Sequence, residues 1–154
     1  QGLRLVEPGQ LLTEWSQNYT YRRNAVRDFY SLDAPPEVEG KLATACRDRN
    51  LQYALTGFSA AARLAPMVRY QRVTAYVNGD PDALVKTLGL KEVPSGANVT
   101  LLSPYDDGGF YGAADVNGIQ IVSPVQAYLD LIGYRGRGEE AATFLLEQVI
   151  QRKW

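Results

Sequence analysis

The chain has 154 residues, of which 45% are apolar and 21% are charged, so it is large enough for one folded domain with its own core. It contains no histidine and one cysteine, Cys46, which excludes Ser-His-Asp and Cys-His catalysis, internal disulfides and most zinc sites. Sixteen basic and seventeen acidic residues give a net charge of −1, so no global field attracts nucleic acid or a membrane.

One helix is predicted within the first 19 residues. Apolar residues recur there at helical spacing: Leu11, Leu12, Trp15 and Tyr19. Because the chain begins with Gln1 rather than methionine, we expect residues 1–19 to be a helix or linker from a missing upstream domain and residues 20–154 to be a single α/β domain. A lone cysteine, no secretory signal and no membrane-length apolar run together predict a cytoplasmic protein without a membrane partner.

Strands and helices alternate through residues 20–72. A short strand is predicted over residues 29–32, followed by a helix to about Asn50 with Asp33 as N-cap and two prolines in its first turn. Its apolar stripe includes Cys46, which we therefore interpret as a core residue rather than a nucleophile. A strand over residues 52–56 and a small-residue helix over 58–64 come next.

The second half predicts the rest of a mixed sheet. Val73–Val77 is the strongest strand, and Asp80 with Pro81 begins a helix that ends at Gly89. Further strands are predicted over 90–93 and 99–102. A hairpin pairs 110–113 with 118–122 through the turn Asn117-Gly118. Two helices follow, one capped by Ser123 with a stripe of Val125, Tyr128, Leu129 and Ile132, and one that begins near Glu139. The fold class is α/β (α+β), a mixed β-sheet flanked by helices, with a nucleotidyltransferase-like fold as one form of it.

Gly57 and Ser59 form the first candidate site. A strand, a glycine turn, a serine and a helix in succession are typical of a phosphate site, because amides at a helix N-terminus attract anions. The alternative is that Ser59 caps the helix and Gly57 only makes the turn. The lysine and the spacing of a P-loop are missing.

A nucleotidyltransferase would place an Asp-x-Asp or Asp-x-Glu pair on the strand that follows such a turn, to hold magnesium. That strand contains Thr74 and Tyr76 and no carboxylate. Asp106 and Asp107 are adjacent, and consecutive side chains seldom point at one centre. We therefore expect no metal, no cofactor and no catalytic residue.

Two groups of arginines are candidates for binding. Arg135 and Arg137, on a glycine turn, would grip a phosphate or an acidic partner, or anchor Asp130. Arg22, Arg23 and Arg27 would contact nucleic acid or a neighbouring domain, or form an ordinary solvated face. Residues 20–72 carry nine basic and five acidic residues, whereas 73–134 carry two and seven, so folding is expected to mix the two signs.

Three stretches carry a resemblance: residues 53–61 (YALTGFSAA), 123–131 (SPVQAYLDL) and 136–142 (GRGEEAA). In this order they resemble the C-terminal domain of AbiEi-type antitoxins, the transcriptional-regulator half of bacterial type IV toxin–antitoxin systems. The resemblance covers roughly residues 20–150. It implies a winged-helix domain for promoter DNA ahead of this one. It also implies a nucleotidyltransferase-like toxin as functional partner, which the antitoxin opposes without a stable complex.

The sequence therefore favours a non-enzymatic C-terminal domain of an antitoxin-like transcriptional regulator. One alternative is a degenerate nucleotidyltransferase-like domain that binds nucleotide at Gly57 and Ser59. Another is a protein-interaction module that exposes the aromatic residues Tyr105, Phe110 and Tyr111.

Overall fold

A computed structural model describes residues 25–65, 70–104, 110, 112–133 and 137–151. Within these residues the chain forms five α-helices and a seven-stranded sheet, so the predicted mixed α/β fold is confirmed. The strands are β1 (Ala25–Tyr30), β2 (Gln52–Leu55), β3 (Val73–Asn78), β4 (Lys91–Glu92), β5 (Val99–Ser103), β6 (Ala114–Val116) and β7 (Ile119–Ile121). The helices are α1 (Pro35–Asp48), α2 (Gly57–Leu64), α3 (Asp82–Leu88), α4 (Pro124–Leu131) and α5 (Arg137–Leu145), and a π-helical turn over Leu146–Ile150 extends the last one.

The strand order across the sheet is β4-β1-β5-β3-β2-β7-β6. The pairs β3–β5 and β2–β7 are parallel and the others are antiparallel. Strands β1, β2 and β7 therefore end at the same edge of the sheet at which β3 and β5 begin. We call this the upper edge, and the opposite end the lower edge.

Each face of the sheet carries its own core. Helices α2, α4 and α5 cover one face, where Tyr76 and Leu102 pack with helix residues such as Leu131. Helices α1 and α3 cover the other, where Phe29 and Cys46 are fully buried. Strand β3 lies between the two cores and is buried from Val73 to Val77, which explains its β-branched and aromatic composition. The assignment of Cys46 to the core is confirmed, and burial raises the pKa of its thiol to about 11.

Several local signals predicted the chain path correctly. The Ser123 hydroxyl accepts the N–H of Gln126 at 3.2 Å, with Pro124 in the first turn of α4. Gly89 ends α3 in the left-handed conformation. Asn117 and Gly118 both have positive φ, as a two-residue hairpin turn requires. The prediction of Asp80 as N-cap with Pro81 at N1 was wrong, because the N-cap of α3 is Pro81, and Asp80 instead accepts the N–H of Asp82 at 3.0 Å.

Several predicted boundaries were wrong, and the first strand is Ala25–Tyr30 rather than residues 29–32. The N-cap of α1 is Ala34 rather than Asp33, whose carboxylate instead accepts from Lys41 at 2.8 Å. Prolines 35 and 36 lack the first N–H groups that a capping side chain would bind. The first hairpin strand is Ala114–Val116 rather than residues 110–113, because the two-residue turn pairs Val116 with Ile119 and so sets the register.

One predicted exposure was also wrong. Phe110 is buried rather than exposed, and its ring meets Tyr76 edge to face with centroids 6.1 Å apart. Tyr105 and Tyr111 lie outside the described residues. In α4 the buried residues are Ala127, Leu129, Asp130 and Leu131, and the predicted Val125, Tyr128 and Ile132 are partly buried and pack against the same core. The face is shifted because α4 packs against α2 and α5 as well as over the sheet.

Candidate functional site

Four polar side chains cross the sheet near its upper edge, on the face covered by α2, α4 and α5. Asp28 of β1 pairs with Thr100 of β5, which pairs with Thr74 of β3. Thr56, just after β2, donates its N–H to the carbonyl of Thr74 at 2.9 Å. We call Asp28, Thr100, Thr74 and Thr56 the polar row. The row lies beside the helices that follow β2 and β7. The core residues on this face of the sheet are otherwise apolar.

The row ends at a buried carboxylate. Asp130 of α4 is 1% exposed and accepts three hydrogen bonds, from the Thr56 hydroxyl at 2.5 Å, the Tyr76 hydroxyl at 2.8 Å and the Gln126 amide at 3.1 Å. Gln126 reaches it because residues four apart share one side of a helix. We call Asp130, Thr56, Tyr76 and Gln126 the Asp130 network. Three donors compensate the loss of water around the carboxylate, which makes its burial tolerable.

The other end of the row is half-exposed. The Arg72 guanidinium donates to Asp28 at 3.2 Å, to the Thr100 hydroxyl at 2.9 Å and to the carbonyl of Ala97 at 3.1 Å. The Thr100 hydroxyl in turn donates to Asp28 at 2.7 Å. The Asp28 side chain is 44% exposed, so this end of the row is the part that water and solutes reach.

Gly57 and Ser59 pack directly over the middle of the row. Ser59 is fully buried, and its hydroxyl accepts the N–H of Thr74 at 3.2 Å. Gly57 has φ +57°, and a Cβ at this position would contact the Thr74 side chain at 3.5 Å. The Thr74 hydroxyl oxygen is buried and has no hydrogen-bond partner among the residues that the structure describes. Both residues thus hold α2 against β3 inside the fold, and their predicted role in phosphate binding stays a prediction.

Strand β3 follows the Gly57–Ser59 turn, as the nucleotidyltransferase pattern requires. The two positions on its covered face are Thr74 and Tyr76, and Tyr76 donates to Asp130. Asp82 lies beyond the strand and pairs with Arg27. In the part of the chain that the structure describes, no three His, Cys, Asp or Glu side chains come together as metal ligands.

Of the predicted arginines, the structure describes the side chain of Arg27. Arg27 lies on the opposite face from the polar row, 5.3 Å above the ring of Phe29, and donates to Asp82 at 2.9 Å and to Glu92 at 3.1 Å. Hydrogen bonds to these two carboxylates raise the pKa of Arg27 and neutralise its charge locally. Arg22, Arg23 and Arg135 lie outside the described residues. Arg137 begins α5, and its side chain is not described.

A second buried carboxylate was missed by the sequence analysis. The Glu39 side chain on α1 is fully buried, and one of its oxygens accepts from Arg63 at 2.7 Å and from the Tyr70 hydroxyl at 2.9 Å. Its other oxygen has no partner in the described part of the chain. Burial, and then the charge of Glu39, raise the pKa of Tyr70, which therefore stays a donor. A glutamate early in a helix is typical of a solvated face, so the pattern carried no signal of burial.

The Asp130 network was also missed, although a signal was present. Gln126 and Asp130 are four residues apart on a helix of apolar neighbours, which places two polar side chains on one side of it. Asp130 was considered only as a partner for Arg135 and Arg137. Two of its described partners, Thr56 and Tyr76, lie 74 and 54 residues away along the chain.

Comparison with known proteins identifies one family. The sequence profile described as "Transcriptional regulator, AbiEi antitoxin, Type IV TA system" matches residues 4–151, nearly the whole chain. No match was found among curated proteins or among solved structures. None of the described helices combines the length and apolar character needed to cross a membrane.

Proposed function

The chain belongs to the AbiEi family, whose members are the antitoxins and transcriptional regulators of type IV toxin–antitoxin systems. On this basis we propose that its α/β domain is a non-enzymatic, C-terminal antitoxin module. The observation that carries the proposal is the composition of the polar row. Metal-dependent phosphoryl transfer requires a pair of carboxylates on this strand. At the corresponding positions β3 carries Thr74 and Tyr76.

The nearest carboxylate is already used by the fold. Asp130 accepts from Thr56, Tyr76 and Gln126, and its side chain is closed off from solvent. A general base or a metal ligand must present an oxygen to the reacting group or the ion. The Asp130 network therefore supports a role in holding the domain together, and the domain acts by binding rather than by chemistry.

We further propose that the protein works in the bacterial cytoplasm against a nucleotidyltransferase-like toxin, as its family implies. Operator DNA would be read by a winged-helix module, which is not found among the described residues, whose strands belong to one mixed sheet. The α/β domain would then supply the antitoxin activity. Arg135 and Arg137 stay candidates for contact with an acidic or phosphorylated partner.

The antitoxin role is tested by growth. Expression of the toxin encoded beside this gene should arrest the host, and co-expression of the present chain should restore growth. Because relatives oppose the toxin without a stable complex, the readout is colony formation rather than co-purification. Arrest that persists although the chain accumulates as a folded protein would contradict the proposal.

The non-enzymatic part is tested with labelled nucleotides. The purified chain is incubated with each ribonucleoside triphosphate, Mg²⁺ or Mn²⁺ and total host RNA, with the toxin as positive control. No label should be transferred by the chain. Transfer that disappears in both Asp28→Asn and Asp130→Asn would show that the polar row performs chemistry.

The contribution of the first arginines to DNA binding is tested by gel shift with the region upstream of the gene. Weak binding that falls with salt is expected, because phosphate contacts release counterions. Arg22→Ala and Arg23→Ala should weaken it. Arg27→Ala should not, since two carboxylates already neutralise that guanidinium. Equal losses in all three variants would contradict this assignment.

A further inference from the structure

A cavity of about 530 Å³ opens beside the lower edge of the sheet, where α1 ends and β2 begins. Its volume lies within the range of about 300–1,000 Å³ that is usual for small-molecule sites. The polar part of its wall comes from Arg47, Asn50, Gln52, Tyr53 and Gln120. The cavity is separate from the polar row and has no part in the proposed antitoxin role.

Arg47 supplies a positive charge at the cavity. One of its terminal nitrogens donates to the carbonyl of Gly118 at 3.0 Å, which connects α1 to the β6–β7 turn and orients the guanidinium. No described carboxylate lies within 4 Å of it, whereas Arg27, Arg63 and Arg72 are each paired with one. The charge of Arg47 is therefore available to an anionic ligand.

Tyr53 and Asn50 supply uncommitted polar groups. The buried Tyr53 hydroxyl accepts the N–H of Gln120 at 3.0 Å, and its own proton has no acceptor among the described residues. Burial raises the pKa of Tyr53, so the hydroxyl stays protonated and able to donate. The Asn50 side chain has no partner in the described structure either, and it follows α1 with φ +54°.

The polar and apolar groups that line the cavity indicate the class of ligand that would fit it. A guanidinium binds a phosphate through two parallel N–H groups. Carboxamides donate and accept side by side, which matches the edge of a nucleobase; the Asn50 amide is unbonded in the described structure, and the Gln120 amide makes one long contact with Asp115, at 3.5 Å. Phe110 and Ala113 add an apolar surface for a flat ring. We propose that the cavity binds a nucleoside monophosphate, with its phosphate on Arg47 and its base edge on Asn50 and Gln120.

The experiment uses the purified chain and the four common ribonucleoside monophosphates at constant ionic strength. Thermal unfolding is followed first, and then calorimetric titration. At least one monophosphate should raise the unfolding midpoint in a saturable way. Inorganic phosphate and the free nucleosides, each half of the ligand, should raise it less. No binding of any monophosphate, or an equal effect of phosphate alone, would overturn the proposal.

Two matched variants locate the site. Arg47→Gln should weaken binding by about tenfold or more, as expected for a lost charge-assisted contact. Arg49→Gln is the control, because it removes the same charge only two residues along the chain. The Arg49 guanidinium bonds to the Ala45 carbonyl and the Thr87 hydroxyl and does not line the cavity. Equal weakening in both variants would reveal non-specific attraction and overturn the assignment. Circular dichroism confirms that both variants are folded.

Discussion

Two carboxylates are buried among the described residues, and their surroundings differ. Asp130 accepts three hydrogen bonds that reach both of its oxygens. Glu39 receives two donors on one oxygen, and its other oxygen has none. A buried carboxylate is stabilised by the number and geometry of its donors as much as by an opposite charge. Asp130 is therefore the better compensated of the two, because described donors reach both of its oxygens.

The largest expected effect comes from Asp130→Ala. The change removes the acceptor and leaves buried hydroxyl donors on Thr56 and Tyr76 unsatisfied, so it should lower the free energy of unfolding by about 4 kcal/mol. Asp28→Ala is the matched control in the same polar row. Because Asp28 is half-exposed, its loss should cost less than half as much. Urea denaturation measures both, and equal costs would refute the comparison.

The next effect comes from Arg63→Met. It leaves the fully buried Glu39 with only the Tyr70 hydroxyl as donor and should cost about 3 kcal/mol. Adding Glu39→Leu removes the stranded charge, so the double variant should recover most of that loss. Chemical denaturation of the wild type, both single variants and the double variant completes the cycle. A double variant less stable than Arg63→Met would show that the pair stabilises the fold.

Thr74→Val should have the opposite sign. The Thr74 hydroxyl is buried without a hydrogen-bond partner, and valine has nearly the same shape. Removing an uncompensated polar group should stabilise the protein by about 1 kcal/mol. Thr100→Val is the control, because the Thr100 hydroxyl bonds to Asp28 and Arg72 and its loss should destabilise. A destabilised Thr74→Val variant would indicate that this hydroxyl has a partner in solution.

The smallest effect is expected at the surface. Arg27→Met breaks two ion pairs whose carboxylates are both more than half-exposed, and should cost about 0.5 kcal/mol or less at low salt. The cost should disappear in about 1 M salt, because screening weakens exposed pairs more than buried ones. Thermal melts at two salt concentrations test this. A cost as large as that of Arg63→Met would mean that burial does not separate the two kinds of pair.

The sequence by itself determined the local features of this protein. The alternation of strands and helices, the Ser123 cap, the Gly89 stop and the Asn117-Gly118 turn all depend on neighbours within a few residues, where spacing and backbone preference suffice. Three short stretches were also enough to indicate the family.

Only the tertiary structure decided which polar groups meet. Asp130 lies far along the chain from Thr56 and Tyr76, and Glu39 is 24 residues from Arg63. Such partners depend on strand register and on which helix covers which face of the sheet, and neither is encoded in local spacing. For the same reason local spacing gave no sign that Arg27, predicted to contact nucleic acid, a neighbouring domain or solvent, pairs with Asp82 and Glu92. Burial and hydrogen bonding depend on how the helices pack on the sheet. They can therefore be assigned to the candidate residues only from the tertiary structure.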